Sequence, residues 1–105
     1  MSYQNLKNLE KDVQNQMTLM KGLDKIPLLA VALAEEVGEV CGVVKKHYRD
    51  GANIGRLRDE LGDVLWYLVA FSEFLGTDLD ELARLNQEKL AARRAAKAAS
   101  DATKG

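Results

Sequence analysis

Apolar residues recur every three to four positions along four successive segments of the chain, which is the period of an amphipathic α-helix. The apolar positions of the first segment are Tyr3, Leu6, Leu9, Val13, Met17 and Met20. This segment ends at Gly22, a residue that readily adopts the left-handed conformation found after a helix. The second segment begins near Pro27, which suits a first helical turn, and extends to about Tyr48. The pattern therefore predicts two helices in the first half of the chain.

Turn and capping residues separate the remaining two segments. Asp50-Gly51 is a strong turn signal, and the third predicted helix covers about residues 54–75, with Gly76 as its stop. Thr77 or Asp78 is placed to cap the fourth helix. The apolar row of that helix consists of Leu79, Leu82, Leu85 and Leu90. Four helices with short connections predict an all-α, antiparallel four-helix bundle-like subunit.

The last residues differ in composition from the rest of the chain. A chain of 105 residues can bury one modest core, and we assign that core to a single domain over residues 1–93. Residues 94–105 are rich in alanine and lack large apolar side chains. With no apolar face to hold them against the domain, we expect them to fray into a disordered tail.

The third predicted helix is apolar nearly all round. Opposite a stripe that contains Leu61 and Leu68 it carries Trp66, Val69 and Ala70. A helix of this kind is normally covered on more than one side, which a lone bundle of this size can scarcely provide. We therefore expect a subunit interface on this helix, in a homodimer or homotetramer.

Composition and charge exclude several classes of protein. The formal net charge of -1 provides no general attraction for a nucleic-acid polymer or an anionic membrane. One cysteine and one histidine allow neither an internal disulfide nor a plausible zinc site. We expect His47 to face solvent, with a direct phosphate contact as the alternative. No apolar stretch is long enough to cross a bilayer, and no signal-peptide core begins the chain. The expected setting is the cytoplasm.

Acidic residues interrupt the apolar stripe of two successive helices, each time in the pattern Glu-(Val or Leu)-Gly-acid-Val. At 100° per residue, Glu36 falls on the core side of the second helix, with Glu39 about 60° further round. Glu60 and Asp63 stand in the same relation to the apolar stripe of the third helix. If these stripes pack together, four carboxylates converge on one partly buried spot.

Four converging anions require either protonation or a cation. Oxygen ligands without a cysteine or a nearby histidine select a hard ion, which can be Mg²⁺, Mn²⁺ or Ca²⁺. The alternative is that the acids point to solvent and pair with Lys45, Lys46, Arg56 or Arg58. Because two matched acidic pairs both lie on apolar stripes, the metal interpretation is favoured. A metal held by carboxylates suits phosphate chemistry, since it bridges phosphate oxygens and activates water.

Phosphate chemistry also needs cationic or amide donors. The fourth helix carries Asn86, Lys89 and Arg93 on one face, at positions i, i+3 and i+7. Such a row is most often a solvated helix face, but beside a metal site it becomes a candidate for phosphate binding.

The acidic pattern resembles a family signature. "EEVGE" followed some twenty residues later by "ELGD" is similar to the E-E-x-x-E … E-x-x-D motif of the MazG-like all-α nucleoside triphosphate pyrophosphohydrolases. Their superfamily includes dimeric dUTPases, dCTP pyrophosphatases and phosphoribosyl-ATP pyrophosphatase. The similarity covers about residues 28–93, and "LNQEKLAAR" is similar to the N-x-x-K element downstream in the family.

The resemblance implies a role for each matching residue. Glu36, Glu39, Glu60 and Asp63 would bind Mg²⁺, for which Mn²⁺ could substitute. Catalytic roles would fall to Glu35 and Glu36, with Glu35 binding a second ion or orienting the attacking water. The phosphates would be held by Asn86, Lys89 and Arg93. The family reaction hydrolyses a nucleoside or deoxynucleoside triphosphate to the monophosphate and pyrophosphate, which serves sanitation or regulation of the nucleotide pool.

Two alternatives stay open at this point. A phosphoribosyl-ATP pyrophosphatase would use the same metal chemistry on a different substrate. A non-catalytic helical module for oligomerisation or regulation would hold Ca²⁺ structurally, or no ion. The complete acidic set argues against the second alternative, and "ELGDVLWYLVA" looks more MazG-like than the counterpart in phosphoribosyl-ATP pyrophosphatase.

Overall fold

The structure is a computed structural model that describes residues 4–19 and 25–103. These residues form four helices and no strand: α1 (Gln4–Leu19), α2 (Lys25–Asp50), α3 (Arg56–Phe74) and α4 (Leu79–Thr103). The predicted all-α fold and its order of helices are confirmed. Three sequence expectations, which concern Tyr3, Met20 and the helix stop at Gly22, lie outside the described residues. No helix in the described ranges is long and apolar enough to cross a membrane.

Helix α3 is the centre of the fold, and it packs against α2, α1 and the start of α4. The buried core combines residues from α1, α2 and α3, so that each of these helices contributes to one apolar cluster. Partly buried side chains, including Trp66 and Leu79, pack around it. Its buried members are Val13, Met17, Leu29, Val69 and Ala70. This cluster holds α3 between α1 and α2, with the acidic residues of α2 and α3 at one side.

The buried face of α3 is not the face that the sequence analysis assigned. Val69 and Ala70 are completely buried, and Trp66 packs on the core of its own chain. Leu61 and Leu68, from the stripe that we expected to line the core, are instead exposed. Because Val69 and Ala70 are already buried within their own chain, they need no second subunit to cover them, while the expected subunit interface stays a prediction. The large apolar side chains that α3 leaves exposed are Phe74 and the pair Leu61 and Leu68, which we call the leucine stripe.

The predicted turns are confirmed. Gly51 follows α2 with a φ of 70°, and Gly76 follows α3 with a φ of 71°; both values favour glycine because a Cβ would be strained there. The amide N–H groups of Gly76 and Thr77 donate to the carbonyls of Glu73 and Ser72, at 3.1 and 2.9 Å. These two bonds form a Schellman motif. Asp78 caps α4, since its Oδ1 accepts from the amide N–H of Glu81 at 2.8 Å.

Helix α4 continues through to Thr103, whereas the sequence predicts fraying from residue 94 onward. Alanine has the highest intrinsic helix propensity, so residues 94–103 can extend the helix without an apolar face. No residue of α4 within the described part is buried. Leu82, Leu85 and Leu90 are therefore an uncovered row, and the end of the domain at residue 93 stays a prediction.

Candidate metal and phosphate site

The four predicted acidic residues come together in the structure. Glu36 and Glu39 lie one turn apart on α2, and Glu60 and Asp63 lie one turn apart on α3. The short connection of residues 51–55 returns α3 along α2, so that the two acidic pairs face each other. Each residue offers a carboxylate oxygen, and these oxygens all lie within 4.8 Å of one another. We call these four residues the acidic cluster.

Two members of the acidic cluster are drawn into the interior. Glu60 is buried, with only 9 % of its surface exposed, and Glu36 is half-buried, while Glu39 and Asp63 are exposed. The Oε2 atoms of Glu36 and Glu60 are shielded from solvent and have no hydrogen-bond partner among the described residues. A buried carboxylate oxygen without a partner is costly, because it has lost its water and gained nothing in exchange.

The same crowding changes the protonation of the cluster. The pKa of Glu36 is raised above its ordinary value of 4.5, mainly by burial. The negative charges of Glu39 and Asp63 raise it further. The pKa of Glu60 is also raised, mainly by a hydrogen bond with the Glu39 carboxyl. Burial and the neighbouring negative charges add to this increase. Both shifts have the sign expected for carboxylates that lack a counter-ion.

Ordinary ion pairs neutralise only a small part of the negative charge of the acidic cluster. An Arg56 guanidinium nitrogen lies 3.8 Å from Glu60 Oε1, a long contact on an arginine whose side chain is 68 % exposed. In the described part of the chain, no salt bridge joins Lys45, Lys46 or Arg58 to the acidic cluster. The donor set consists of oxygens alone, two of them buried and unpaired. These residues therefore fit a hard divalent cation.

The remaining predicted site residues lie elsewhere. Glu35 is exposed on α2 beside Glu36 and is not one of the four residues whose oxygens converge. Asn86, Lys89 and Arg93 are exposed on α4, whose contacts with the rest of the described chain lie near its start. Within one chain the structure does not bring these three residues to the acidic cluster. Their phosphate-binding role stays a prediction.

A cavity beside the cluster contains residues that the sequence analysis did not assign to substrate. It has a volume of about 290 Å³. The acidic cluster contributes Glu39 and Glu60 to its wall, and α2, the α2–α3 connection and α3 contribute the rest. These other lining residues are Gly42, Val43, Lys46, Ala52, Asn53 and Arg56. In the sequence, Lys46 and Arg56 were considered only as ion-pair partners of the acidic residues.

His47 is half-buried and does not simply face solvent, as the sequence analysis expected. Its Nδ1 lies 2.8 Å from the carbonyl oxygen of Ala52, and since a carbonyl can only accept, Nδ1 carries the proton and donates. The imidazole also packs edge-on against Tyr48. His47 therefore fastens the α2–α3 connection to the end of α2, next to the cavity.

Comparison with known proteins identifies one family. The sequence model of the MazG nucleotide pyrophosphohydrolase domain matches residues 26–96, a range that contains the whole acidic cluster. No curated protein and no solved structure matches the chain. The matched range begins in the first turn of α2 and ends within α4.

Proposed function

Because the chain belongs to the MazG nucleotide pyrophosphohydrolase family, we propose that it hydrolyses a nucleoside or deoxynucleoside triphosphate to the monophosphate and pyrophosphate. The observation that carries this proposal is the acidic cluster, with two buried carboxylate oxygens that lack a partner and four carboxylates within reach of one ion. The family is metal-dependent. We propose Mg²⁺ as the natural ion, with Mn²⁺ as a substitute, and the cytoplasmic nucleotide pool as the place of action.

The acidic residues of α2 and α3 would have two different roles. Glu36, Glu39, Glu60 and Asp63 would hold the cation. A bound divalent ion neutralises phosphate charge and promotes ionisation of water. Glu35 is exposed next to the cluster, where its carboxylate can orient the attacking water and accept its proton.

The reaction balances with water as the nucleophile. The water oxygen forms a bond to the α-phosphorus, and the bond between that phosphorus and the α–β bridging oxygen breaks. The bridging oxygen leaves with the electron pair as part of pyrophosphate, and the proton of the water passes to the Glu35 or Glu36 carboxylate.

The test is a panel of ribonucleoside and deoxyribonucleoside triphosphates, incubated with the protein and Mg²⁺. We expect equal amounts of the monophosphate and pyrophosphate from at least one substrate, and none in EDTA. Release of a diphosphate and inorganic phosphate would mean that cleavage occurs at the β–γ linkage and that the reaction is misassigned. Absence of turnover with every member of the panel would contradict the proposed function.

We further propose that the chain functions as a homodimer or homotetramer. The uncovered surface includes the leucine stripe of α3, with Leu61 and Leu68, and the row of α4 that contains Leu85. Exposed leucines gathered on one face of a helix are typical of a protein–protein contact. A second copy could also bring its α4, with Asn86, Lys89 and Arg93, to the acidic cluster, which a single chain does not do.

Sedimentation tests the assembly. The wild-type protein should sediment at a multiple of the 11.6 kDa of one chain at micromolar concentration. Leu85→Glu should shift it toward the monomer without loss of helix content, because Leu85 is 45 % exposed in the single chain. Glu88→Gln on the same helix is the control. A stable wild-type monomer would contradict the proposal.

A further inference from the structure

The carboxylates of the acidic cluster repel one another across the gap between α2 and α3. Their oxygens lie within 4.8 Å of one another, with Glu36 and Glu39 on one helix and Glu60 and Asp63 on the other. Burial, and after it the charges of Glu39 and Asp63, raises the pKa of Glu36. Because Asp63 belongs to the opposite helix, part of this repulsion acts to separate the two helices. A geometry suited to an ion therefore needs contacts that hold α3 against α2.

The acidic cluster lies between the hydrophobic core and the connection that joins α2 to α3. The core residues Leu29 of α2 and Val69 of α3 lie on the side away from the connection, because the two helices run antiparallel. Leu29 precedes Glu36 by seven residues, which is about 10 Å along the helix. On the other side Val43 is buried, and the chain then passes through residues 51–55 into α3. The geometry of this connection therefore influences how closely the second acidic pair approaches the first.

A histidine side chain fastens the connection to α2. The His47 ring donates from Nδ1 to the carbonyl oxygen of Ala52 at 2.8 Å, and the amide N–H of Gly51 donates to the His47 carbonyl at 3.0 Å. In the described part of the chain, no other side-chain hydrogen bond joins α2 to residues 51–55. Ala52 and Glu60 line the same cavity, so this bond is formed beside the acidic cluster. It is therefore placed to oppose separation of the two helices.

We propose that His47 is a positioning residue for the divalent ion. Its hydrogen bond to Ala52 keeps the start of α3 against the end of α2, so that Glu60 and Asp63 stay opposite the acidic pair of α2 before the ion binds. Ligands that are already in place lose less freedom on binding, which raises the affinity of the site. The inference rests on the metal-binding part of the proposed function and does not depend on nucleotide hydrolysis.

The experiment is calorimetric titration of Mg²⁺ into the full chain and its variants, without nucleotide or phosphate, after circular dichroism has measured the helix content of each. His47→Leu removes the donor and should weaken Mg²⁺ binding about three- to tenfold, the factor that one hydrogen bond contributes. His47→Asn should bind Mg²⁺ nearly as tightly as the wild type, since its amide nitrogen is also bonded to Cγ and can donate to Ala52. If His47 acted only through a direct phosphate contact, all these proteins would bind Mg²⁺ equally.

Two glycines provide a matched test of the connection itself. Gly51 and Gly76 adopt φ values of 70° and 71°, and beyond the neighbouring residues a Cβ added at either position would meet no atom within 4 Å. Alanine at each position therefore costs similar backbone strain without a clash. Gly51→Ala strains the connection beside the acidic cluster and should weaken Mg²⁺ binding about three- to tenfold. Gly76→Ala strains the turn between α3 and α4 and should leave the affinity unchanged, although both variants should melt at a similarly lowered temperature in EDTA.

The outcomes separate this inference from the proposed function. Weaker Mg²⁺ binding in His47→Leu and Gly51→Ala, with His47→Asn and Gly76→Ala close to the wild type, supports it even if no nucleotide is hydrolysed. Wild-type affinity in His47→Leu overturns it, even if the nucleotide panel is turned over. An equal loss in Gly76→Ala also overturns it, because the affinity would then follow overall stability. A wild type that binds no Mg²⁺ would overturn the metal site and this inference together.

Discussion

Glu60→Gln should lower the turnover number of the protein by more than about a hundredfold, because substitution of groups that merely support metal ligands already costs roughly 10–100-fold. Glu60 is the most buried member of the acidic cluster, and its Oε2 has no partner among the described residues. Glutamine preserves the size of the side chain and removes its charge. The measurement is the initial rate of pyrophosphate release at saturating triphosphate and Mg²⁺.

Two controls show whether the loss of turnover in Glu60→Gln comes from the site itself and not from a change in folding or in overall charge. Asp59→Asn changes the neighbouring acid, which is exposed on the same helix and lies outside the acidic cluster, and it should retain activity. Neighbouring negative charges contribute to the raised pKa of Glu60, so its replacement by neutral glutamine should not lower the melting temperature in EDTA. Full turnover by Glu60→Gln would refute the site.

Mg²⁺ should raise the melting temperature of the wild-type protein by roughly 10–20 °C at a concentration about a hundred times its dissociation constant. At that concentration, binding to the folded state alone adds about 2.7 kcal/mol to the free energy of unfolding. For a domain of this size, each kcal/mol corresponds to about 4–8 °C. Asp63→Asn and Glu39→Gln each remove one charged ligand and should largely abolish the response. Identical melting of the wild type in EDTA and in excess Mg²⁺ would contradict the metal site.

The response should also depend on pH. In the folded protein without metal, the pKa values of Glu36 and Glu60 lie above the ordinary 4.5, so the folded state binds protons more tightly than the unfolded state. Their contribution to stability is therefore favourable at low pH and is lost as the pH rises from 4.5 through the raised pKa values. Protons and Mg²⁺ compete for the same oxygens. The shift in melting temperature on adding Mg²⁺ should be larger at pH 7.5 than at pH 5, and a shift that grows toward pH 5 would speak against these carboxylates as ligands.

Local features of the sequence were sufficient for the order of the helices and for the acidic cluster, but not for the end of α4, which continues to Thr103 where fraying was predicted. Helix ends depend on nearby chemistry, such as the positive φ that Gly51 and Gly76 adopt and the side-chain cap of Asp78. The acidic cluster follows from a spacing of three residues on each of two consecutive helices, because a short connection leaves those helices little choice but to pack together. Residues close in sequence thus determined the turns at Gly51 and Gly76, the start of α4 and the position of these four carboxylates.

The choice between two apolar faces of α3 was made only by the tertiary structure. Both the Leu61 and Leu68 stripe and the Trp66, Val69 and Ala70 face are apolar, so hydrophobicity alone does not rank them. The second face is buried because α1 packs against it. The residue pattern of a helix does not reveal which distant helix will pack against it, so this contact could not be read from the sequences of α1 and α3.

The positions of the basic residues relative to the acidic cluster depend on tertiary structure for the same reason. One face of α4 carries Asn86, Lys89 and Arg93. The hydrophobic period assigns residues to a helix face but does not identify the element that packs against that face. Lys46 and Asn53 come from the end of α2 and from an irregular connection, so no repeat relates them to Glu60. They become neighbours in one cavity only when α3 folds back along α2. The sequence by itself determined where the negative charge gathers, and only the packing of the helices decided which positive charges lie beside it.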